Sequence, residues 1–396
     1  MAAPAVVAGL GLNGLGVVRS LAREGVPVVA VDSKPANPAM RTRYGRKIRV
    51  RAMHGDALVE DLLALARTLA ERPVLFLTEE ATVRTVSARR KTLEPYYRIT
   101  LPPEDVLDAL MHKESFQRLA EQHDFRVPRS LHIFDDDTLE QARRLQYPVI
   151  LKPGKKDPSY GRSFKKAYRI ESFDELCRQS RQIMPVLSDL IVQEWVEGSD
   201  SDVYFCLQYV RPDGQPAVSF SGRKIRSWPP AVGGTASCTA APEAARALEA
   251  ETTRFFRATG FVGMGSMEYK RDAASGAFYL IEPTVARTDY QEEVATLNGI
   301  NIPFAAYCAE LGLAAPVLRP KSRPRVWREA ATDRWSAEMQ RQDCGKGPLD
   351  SGPRTDAWWR WYDPLPWLAR TNARLIAAGS RRLSFGRLRP LHERGI

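Results

Sequence analysis

The chain has 396 residues, with 44% hydrophobic and 27% charged residues, enough for two or three soluble domains. No window of eighteen uncharged apolar residues occurs, which excludes a spanning helix, and the glycine-broken N-terminus does not read as a signal peptide. The net charge of +11 favours anionic partners, and the five scattered cysteines without a C-x-x-C read as reduced thiols of a cytoplasmic protein rather than a disulfide frame or zinc site.

The first element is VVAGLGLNGLGVVRSLAREGVPVVAVD. Val6 to Ala8 reads as a buried strand, Gly9, Gly11 and Gly14 as a tight turn, the segment to Glu24 as a helix, and Val26 to Asp32 as a second parallel strand. Asp32 lies where a ribose-binding acid would stand in a dinucleotide site, so a nicotinamide-dependent oxidoreductase is one reading. The other is a strand-turn-helix that needs its glycines only for packing. A helix from Asp56 to Ala70, a strand PVLFLT and a strand YRITL follow, which makes residues 1–110 an open parallel α/β sheet.

Beyond Pro102-Pro103 the run DVLDALMHKESFQRLAEQHDF has helical spacing. From Pro148 the pattern turns to hairpins, with helices at 172–184 and 242–259, an α+β organisation. YPVILKPGKKDPSYGRSFKKAYRI delivers Lys152 at the end of a buried strand. A loop with Gly154, Tyr160 and Gly161 follows, then a strand carrying Lys165 and Lys166. A loop with free backbone N–H groups and lysines at its roots suits a triphosphate, and it equally suits a solvated hairpin. In LIVQEWVEGSDSD, the residues Gln193, Glu194, Trp195 and Val196 carry a strand edge into a linker, which offers a purine both an acceptor and a backbone N–H. SFSGRKIRSWPPAVGG sets Arg223, Lys224 and Arg226 beside a Gly-Gly turn, suitable for an anion or for an exposed strand end.

MEYKRDAASGAFYLIEP is the most informative stretch. A hairpin centred on Ser275 puts Glu268 opposite Glu282 and Lys270 opposite Leu280. Opposed residues share a face with Cβ atoms about 5 Å apart, so the two carboxylates repel unless a cation reconciles them. Mg²⁺ or Mn²⁺ prefers such oxygen ligands. A slipped register would instead send one Glu to solvent. The five histidines are isolated, and neither a nucleophile elbow nor a Walker lysine occurs. Residues 316–396 form a basic, Trp- and Pro-rich extension with WWRWYDPLPWL and RRLSFGRLRP. Its tryptophans are expected to pack back on the body while its arginines stay solvated; contact with an anionic membrane face is the alternative.

In their order, MHKES, VILK with its glycine loop, VQEWVEG and MEYKRD…YLIEP resemble the ATP-grasp superfamily, and more narrowly its carboxylate–amine ligases of the D-aspartate ligase-like group. The resemblance covers residues 1 to about 310. It implies a Rossmann-like domain (1–110) that does not hold NAD, an ATP-grasp N-subdomain with a phosphate-covering loop (111–188), a C-subdomain with the metal site (189–315), and the extension. It implies that Lys113 and Lys152 meet the nucleotide phosphates, Gln193 the adenine amino group, the Val196 backbone the ring, and Asp202 the ribose side. Lys224 resembles a basic residue near the reacting carboxylate, with Arg226 close by; Glu268 and Glu282 match the metal-binding acids. The usual E-x-N-x-R ending here reads Glu282-Pro283-Thr284-Val285-Ala286-Arg287, so Thr284 stands for the third ligand and Arg287 for the stabiliser of the intermediate. The implied activity is ATP-dependent joining of a small-molecule carboxylate to an amine, with Mg²⁺ (or Mn²⁺) and without nucleic acid. A homodimer is one open assembly state, and a non-catalytic ATP-binding protein stays open as an alternative.

Overall fold

The structure of the protein, a computed structural model, describes residues 2–154, 164, 167–290, 292–342, 344 and 347–372. Its first sheet comprises β1 (Ala5–Ala8), β2 (Val28–Asp32), β3 (Arg46–Arg49) and β4 (Val74–Leu77) in the order β3-β2-β1-β4, all parallel. The continuous apolar runs of β1, β2 and β4 are buried, as strands covered on both faces require. The helix Leu12–Arg23 follows the glycine turn. YRITL, expected as a further strand, contributes one bridge, Arg98 to Val74. The Tyr97 hydroxyl donates to the Leu62 carbonyl, which turns this stretch toward the helix Gly55–Ala66. The single helix expected across DVLDALMHKESFQRLAEQHDF is two, Glu104–Met111 and Lys113–Gln122, because His112 adopts an extended conformation between them.

The second sheet comprises β5 (Ser130–Ile133), β6 (Val149–Pro153), β7 (Tyr168–Ile170) and β8 (Leu190–Glu194) in the order β5-β8-β6-β7, all antiparallel. The helix Phe173–Ile183 packs Leu176 and Ile183 on it, and these join Ile133, Leu151, Leu190 and Val192 in a core of their own. β8 is therefore interior to this sheet, although its sequence stands just past the expected break at 188.

The third sheet comprises β9 (Val203–Val210), β10 (Pro216–Trp228), β11 (Gly234–Ala240), β12 (Gly263–Arg271), β13 (Phe278–Val285), β14 (Val326–Arg328) and β15 (Arg354–Asp356) in the order β13-β12-β9-β10-β11-β14-β15. Its last two strands, β14 and the edge strand β15, come from the segment read as an extension. Its core is continuous with that of the first sheet: Val6, Leu75 and Leu77 share a cluster with Met267, Tyr269 and Leu280. The second sheet has a core separate from that of this larger body, and a cleft runs between it and β13. Among the described residues no helix is long and apolar enough to cross a membrane.

Candidate functional site

Glu268 does face Glu282 across β12 and β13. Only on the turn side of that pair does the register differ from the expectation: Lys270 faces Tyr279 and Leu280 faces Tyr269. The turn sits half a residue earlier than a centre at Ser275, and an irregularity between Glu268 and Tyr269 restores the Glu–Glu pair. A bulge of this kind re-aims one side chain while keeping the strand paired. Glu282 is exposed toward the cleft, and the Glu268 side chain is 24% accessible.

The cation that reconciles the acids within the protein is Lys224. Its Nζ lies 2.8 Å from Glu268 Oε2, and the residue is buried. Gly222 of β10, Phe205 of β9 and Glu268 are directly paired neighbours, so Lys224, two residues on from Gly222, shares their face. Burial alone would depress the Lys224 ammonium, but Glu268, with Glu282 and Asp289 behind it, holds it above its ordinary value. Burial pushes the Glu268 carboxyl up; Lys224 opposes this and Glu282 adds to it.

The cleft is lined by Ser130, His132, Lys152, Ile191 and Gln193 of the second sheet, by Lys113, Glu114, Phe116 and Gln117 of the helix Lys113–Gln122 with Val127 after it, and by Leu280, Ile281 and Glu282 of β13. Two lysines, a glutamine and a carboxylate named from the sequence therefore meet in one place. Lys152 Nζ donates to Gln193 Oε1 at 2.8 Å, and Lys113 Nζ to the Pro153 carbonyl at 3.4 Å. The Gly154 N–H donates to the Asp189 carbonyl at 2.9 Å and ties down the start of the loop. Tyr160, Gly161 and Lys166 lie outside the described residues. The Trp195 N–H donates to the Pro148 carbonyl, and the Glu194 carboxylate accepts the Gln146 N–H, so both serve the linker's shape. Val196 donates its N–H to no acceptor among the described residues, as an adenine contact would require. Asp202 Oδ2 accepts from the Ser199 N–H and hydroxyl at 2.9 and 2.8 Å, which makes it a cap of the short helix Asp200–Asp202.

Arg226 is not at the site. Its guanidinium donates to Asp333 Oδ1 at 2.7 Å and to Asp350 Oδ2 at 2.8 Å, and all three residues are buried. Register shifts on either side of Arg226 in the β10–β11 pairing turn it away from the alternation that Lys224 obeys.

Arg287 stands in a short loop after β13, where Ala286 has a left-handed backbone, φ 55°. Such a conformation is costly without glycine and persists where surrounding contacts impose it. Two residues that the sequence reading missed do so. Asp289 Oδ2 accepts the Thr284 hydroxyl at 3.1 Å, and its Oδ1 lies 3.9 Å from the Arg287 guanidinium. Asn13, from the glycine turn of the first domain, donates to the Thr288 and Thr78 carbonyls at 2.6 and 3.0 Å and accepts the Thr288 hydroxyl at 2.6 Å. The turn that resembles a dinucleotide fingerprint therefore braces the Arg287 loop. Gly9, at φ +101°, would place a Cβ 2.4 Å from Thr78 Oγ1, and a Cβ on Gly14 would lie 1.8 Å from the Gly9 carbonyl oxygen. Asp32, the expected ribose acid, accepts from the Leu10 N–H, the Asn37 amide and the Lys34 N–H at 2.9, 3.0 and 2.7 Å, and it is buried. That set of internal donors gives the acid a structural use in place of a ribose contact.

Replacing Asn13 by Ala strips the donor from two buried carbonyls. The expected cost is roughly 1–3 kcal/mol, read by urea unfolding, with turnover falling while ATP affinity holds. Unchanged stability and turnover would show that the brace does nothing.

Two acids and a threonine are the candidate metal ligands. Among the described residues no group of three or more His, Cys, Asp or Glu could hold an ion. The donor set therefore fits Mg²⁺ bound through one or two carboxylates plus phosphate oxygens and water, and does not fit an all-protein cage. The Thr284 hydroxyl spends its proton on Asp289.

No protein-family model matches the chain. A D-aspartate ligase of Enterococcus faecium (strain Aus0004) is 23% identical over 278 residues, 66% of this chain and 66% of that relative, just under two thirds of its length. An N5-carboxyaminoimidazole ribonucleotide synthetase in its ADP complex superimposes with a TM-score of 0.64 at 14% identity, covering 86% of this chain and 85% of that one. The synthetase of Thermotoga maritima gives 0.58 at 15% identity, covering 82% and 80%. The biotin carboxylase domain of the Hydrogenobacter thermophilus 2-oxoglutarate carboxylase, solved with MgADP, ADP and bicarbonate, gives 0.62 at 15% identity, covering 82% and 73%. The chain has the ATP-grasp fold, and in sequence it is related to a D-aspartate ligase.

Proposed function

We propose that the protein is an ATP-dependent carboxylate–amine ligase. The observation that carries this reading is the cleft that brings Lys113, Lys152 and Gln193 together with Glu282 of the acid pair. In the proposed reaction a substrate carboxylate oxygen attacks the γ-phosphorus of ATP, the bond to the β–γ bridging oxygen breaks, and ADP leaves. The amine nitrogen then attacks the acyl carbon, loses its proton, and phosphate departs from the acyl phosphate. Lys113 and Lys152 hold the phosphates, the Gln193 carbonyl accepts the adenine amino group, and the Val196 N–H meets the ring. Arg287, held by Asp289 and Thr288, neutralises charge on the acyl phosphate, and Lys224 does so from β10. Glu268 and Glu282 are the residues that would hold Mg²⁺, which supplies charge neutralisation at the phosphates. This chemistry is positioning and electrostatics, which accounts for a site built of lysines, arginine and acids without a nucleophile. The relationship to a D-aspartate ligase supports an amino-acid carboxylate as substrate, with D-aspartate the first to test.

The test is calorimetric titration with ATP and with NADH, then a phosphate-release screen of D-aspartate and other amino acids against amine acceptors. ATP binding, and phosphate release dependent on both substrates, are expected. NADH binding without ATP binding would overturn the reading. Within it, Lys152→Ala should weaken ATP binding by about 1.5–3 kcal/mol, the worth of a hydrogen bond to a charged group, with the fold intact. Full ATP affinity with a lower melting temperature would instead make Lys152 a support for Gln193.

A further inference from the structure

The segment WWRWYDPLPWL departs from the expectation that its tryptophans pack back on the body and its charges stay solvated: only Trp358 packs against the core, and two charged residues are buried. Asp363 is fully buried and accepts from Arg19 Nε at 3.0 Å, the Thr42 hydroxyl at 2.8 Å and the Arg43 N–H at 2.9 Å. Arg360 is buried and donates to Glu293 Oε1 at 2.6 Å. Of its four tryptophans, Trp358 packs against the core and the other three are left outside: Trp361 is 81% exposed, Trp359 45% and Trp367 39%, with Leu365 at 50% and Leu368 at 43%. Trp359 and Trp367 meet edge to face at 5.4 Å, and Leu365 and Leu368 are three apart in the helical residues 365–372. Trp361 meets Tyr362 edge to face at 5.4 Å, and the segment is held by Asp363 to Arg19 of the first domain and by Arg360 to Glu293.

Beside it runs β3, the open edge of the first sheet. Arg43 Nη1 donates to the Tyr362 carbonyl at 3.2 Å, and Tyr44 and Tyr362 rings meet at 6.5 Å, so the two segments are contiguous. Residues 33–55 contain Lys34, Arg41, Arg43, Arg46, Lys47, Arg49 and Arg51 and no acid. Arg41, Arg43, Arg46 and Arg49 are exposed. Cations on an edge strand also discourage strand pairing between molecules, but that purpose needs no exposed indoles next to them. Indole rings and leucines rimmed by arginine are the composition of a face that lies at the level of lipid headgroups. Nucleic acid would use the arginines and leave Leu365 and Leu368 unexplained.

We propose that Trp359, Trp361, Leu365, Trp367 and Leu368, with Arg41, Arg43, Arg46 and Arg49, dock the protein on an anionic lipid bilayer. The proposal does not depend on the ligase reading. The test is sedimentation of the full chain with phosphatidylcholine vesicles, with and without phosphatidylglycerol, beside a gel-filtration run and a titration with single-stranded RNA. Binding to the anionic vesicles at least about tenfold stronger than to the neutral ones is expected, falling with salt. Trp361→Ser with Leu365→Ser should abolish it, and Arg46→Glu with Arg49→Glu should remove its preference for anionic lipid, with ATP binding kept in both. No vesicle binding, or binding indifferent to the aromatic pair, would overturn the proposal. So would a dimer that the aromatic variant splits, which would make a second copy the occupant, or RNA binding that depends on the arginines alone.

Discussion

Glu282→Gln is expected to abolish phosphoryl transfer while leaving the ligand-free protein as stable as before, or slightly more stable. Glu268→Gln is expected to abolish transfer and also to destabilise the fold. The two acids face one another, and either substitution removes a hard ligand and a like-charge conflict. Only Glu268 has Lys224 on its carboxylate, at 2.8 Å. Its loss leaves a buried ammonium without its charged partner, at roughly 1–3 kcal/mol, and the partial exposure of Glu268 keeps the cost at that level rather than that of a fully buried pair. The double variant Glu268→Gln with Lys224→Met should recover most of the stability and none of the activity. Thermal unfolding and ADP release over a Mg²⁺ titration check all three. Full turnover in either single variant would make the acids structural.

Arg226→Ala should destabilise the protein by about 3–5 kcal/mol, the cost of breaking a buried ionic group by removing one member. The substitution leaves Asp333 and Asp350 buried and facing a void, and Asp333 also accepts the Ser237 hydroxyl. Where the variant still folds at low temperature it should keep its ATP affinity, because Arg226 is not among the cleft-lining residues. Urea unfolding and ATP titration give the two readings. A stable Arg226→Ala protein that has lost ATP binding would return Arg226 to the site.

What the sequence made legible was local. The acid pair lies in one hairpin, so counting from the Ser275-Gly276 turn brings Glu268 and Glu282 together. The irregularity beside Glu268 changes neighbouring pairs, and nothing in MEYKRDAASGAFYLIEP marks it. Lys113, Lys152 and Gln193 were findable through motif order, which carries information that the spacing of any one strand lacks. The partners of Arg226 stand 107 and 124 residues further on, and Asn13 meets Thr288 across 275 residues. Lys224 and Arg226 read alike in RKIR, yet two register shifts in β10 give them different surroundings. The tail misleads for a related reason. Composition favours burying tryptophan over arginine, but Arg19 and Glu293, far away in sequence, offer Asp363 and Arg360 buried partners.

In the proposed reaction a substrate carboxylate takes the γ-phosphoryl group before the amine arrives. That step is tested most directly by supplying ATP, Mg²⁺, an amine acceptor and D-aspartate, or whichever acid the screen selects, labelled with oxygen-18 in its carboxylates, and weighing the phosphate released. Phosphate carrying one labelled oxygen, in step with ADP and amide formation, is the expected result. ADP with unlabelled phosphate would contradict it, because the carboxylate would then never have been bonded to phosphorus.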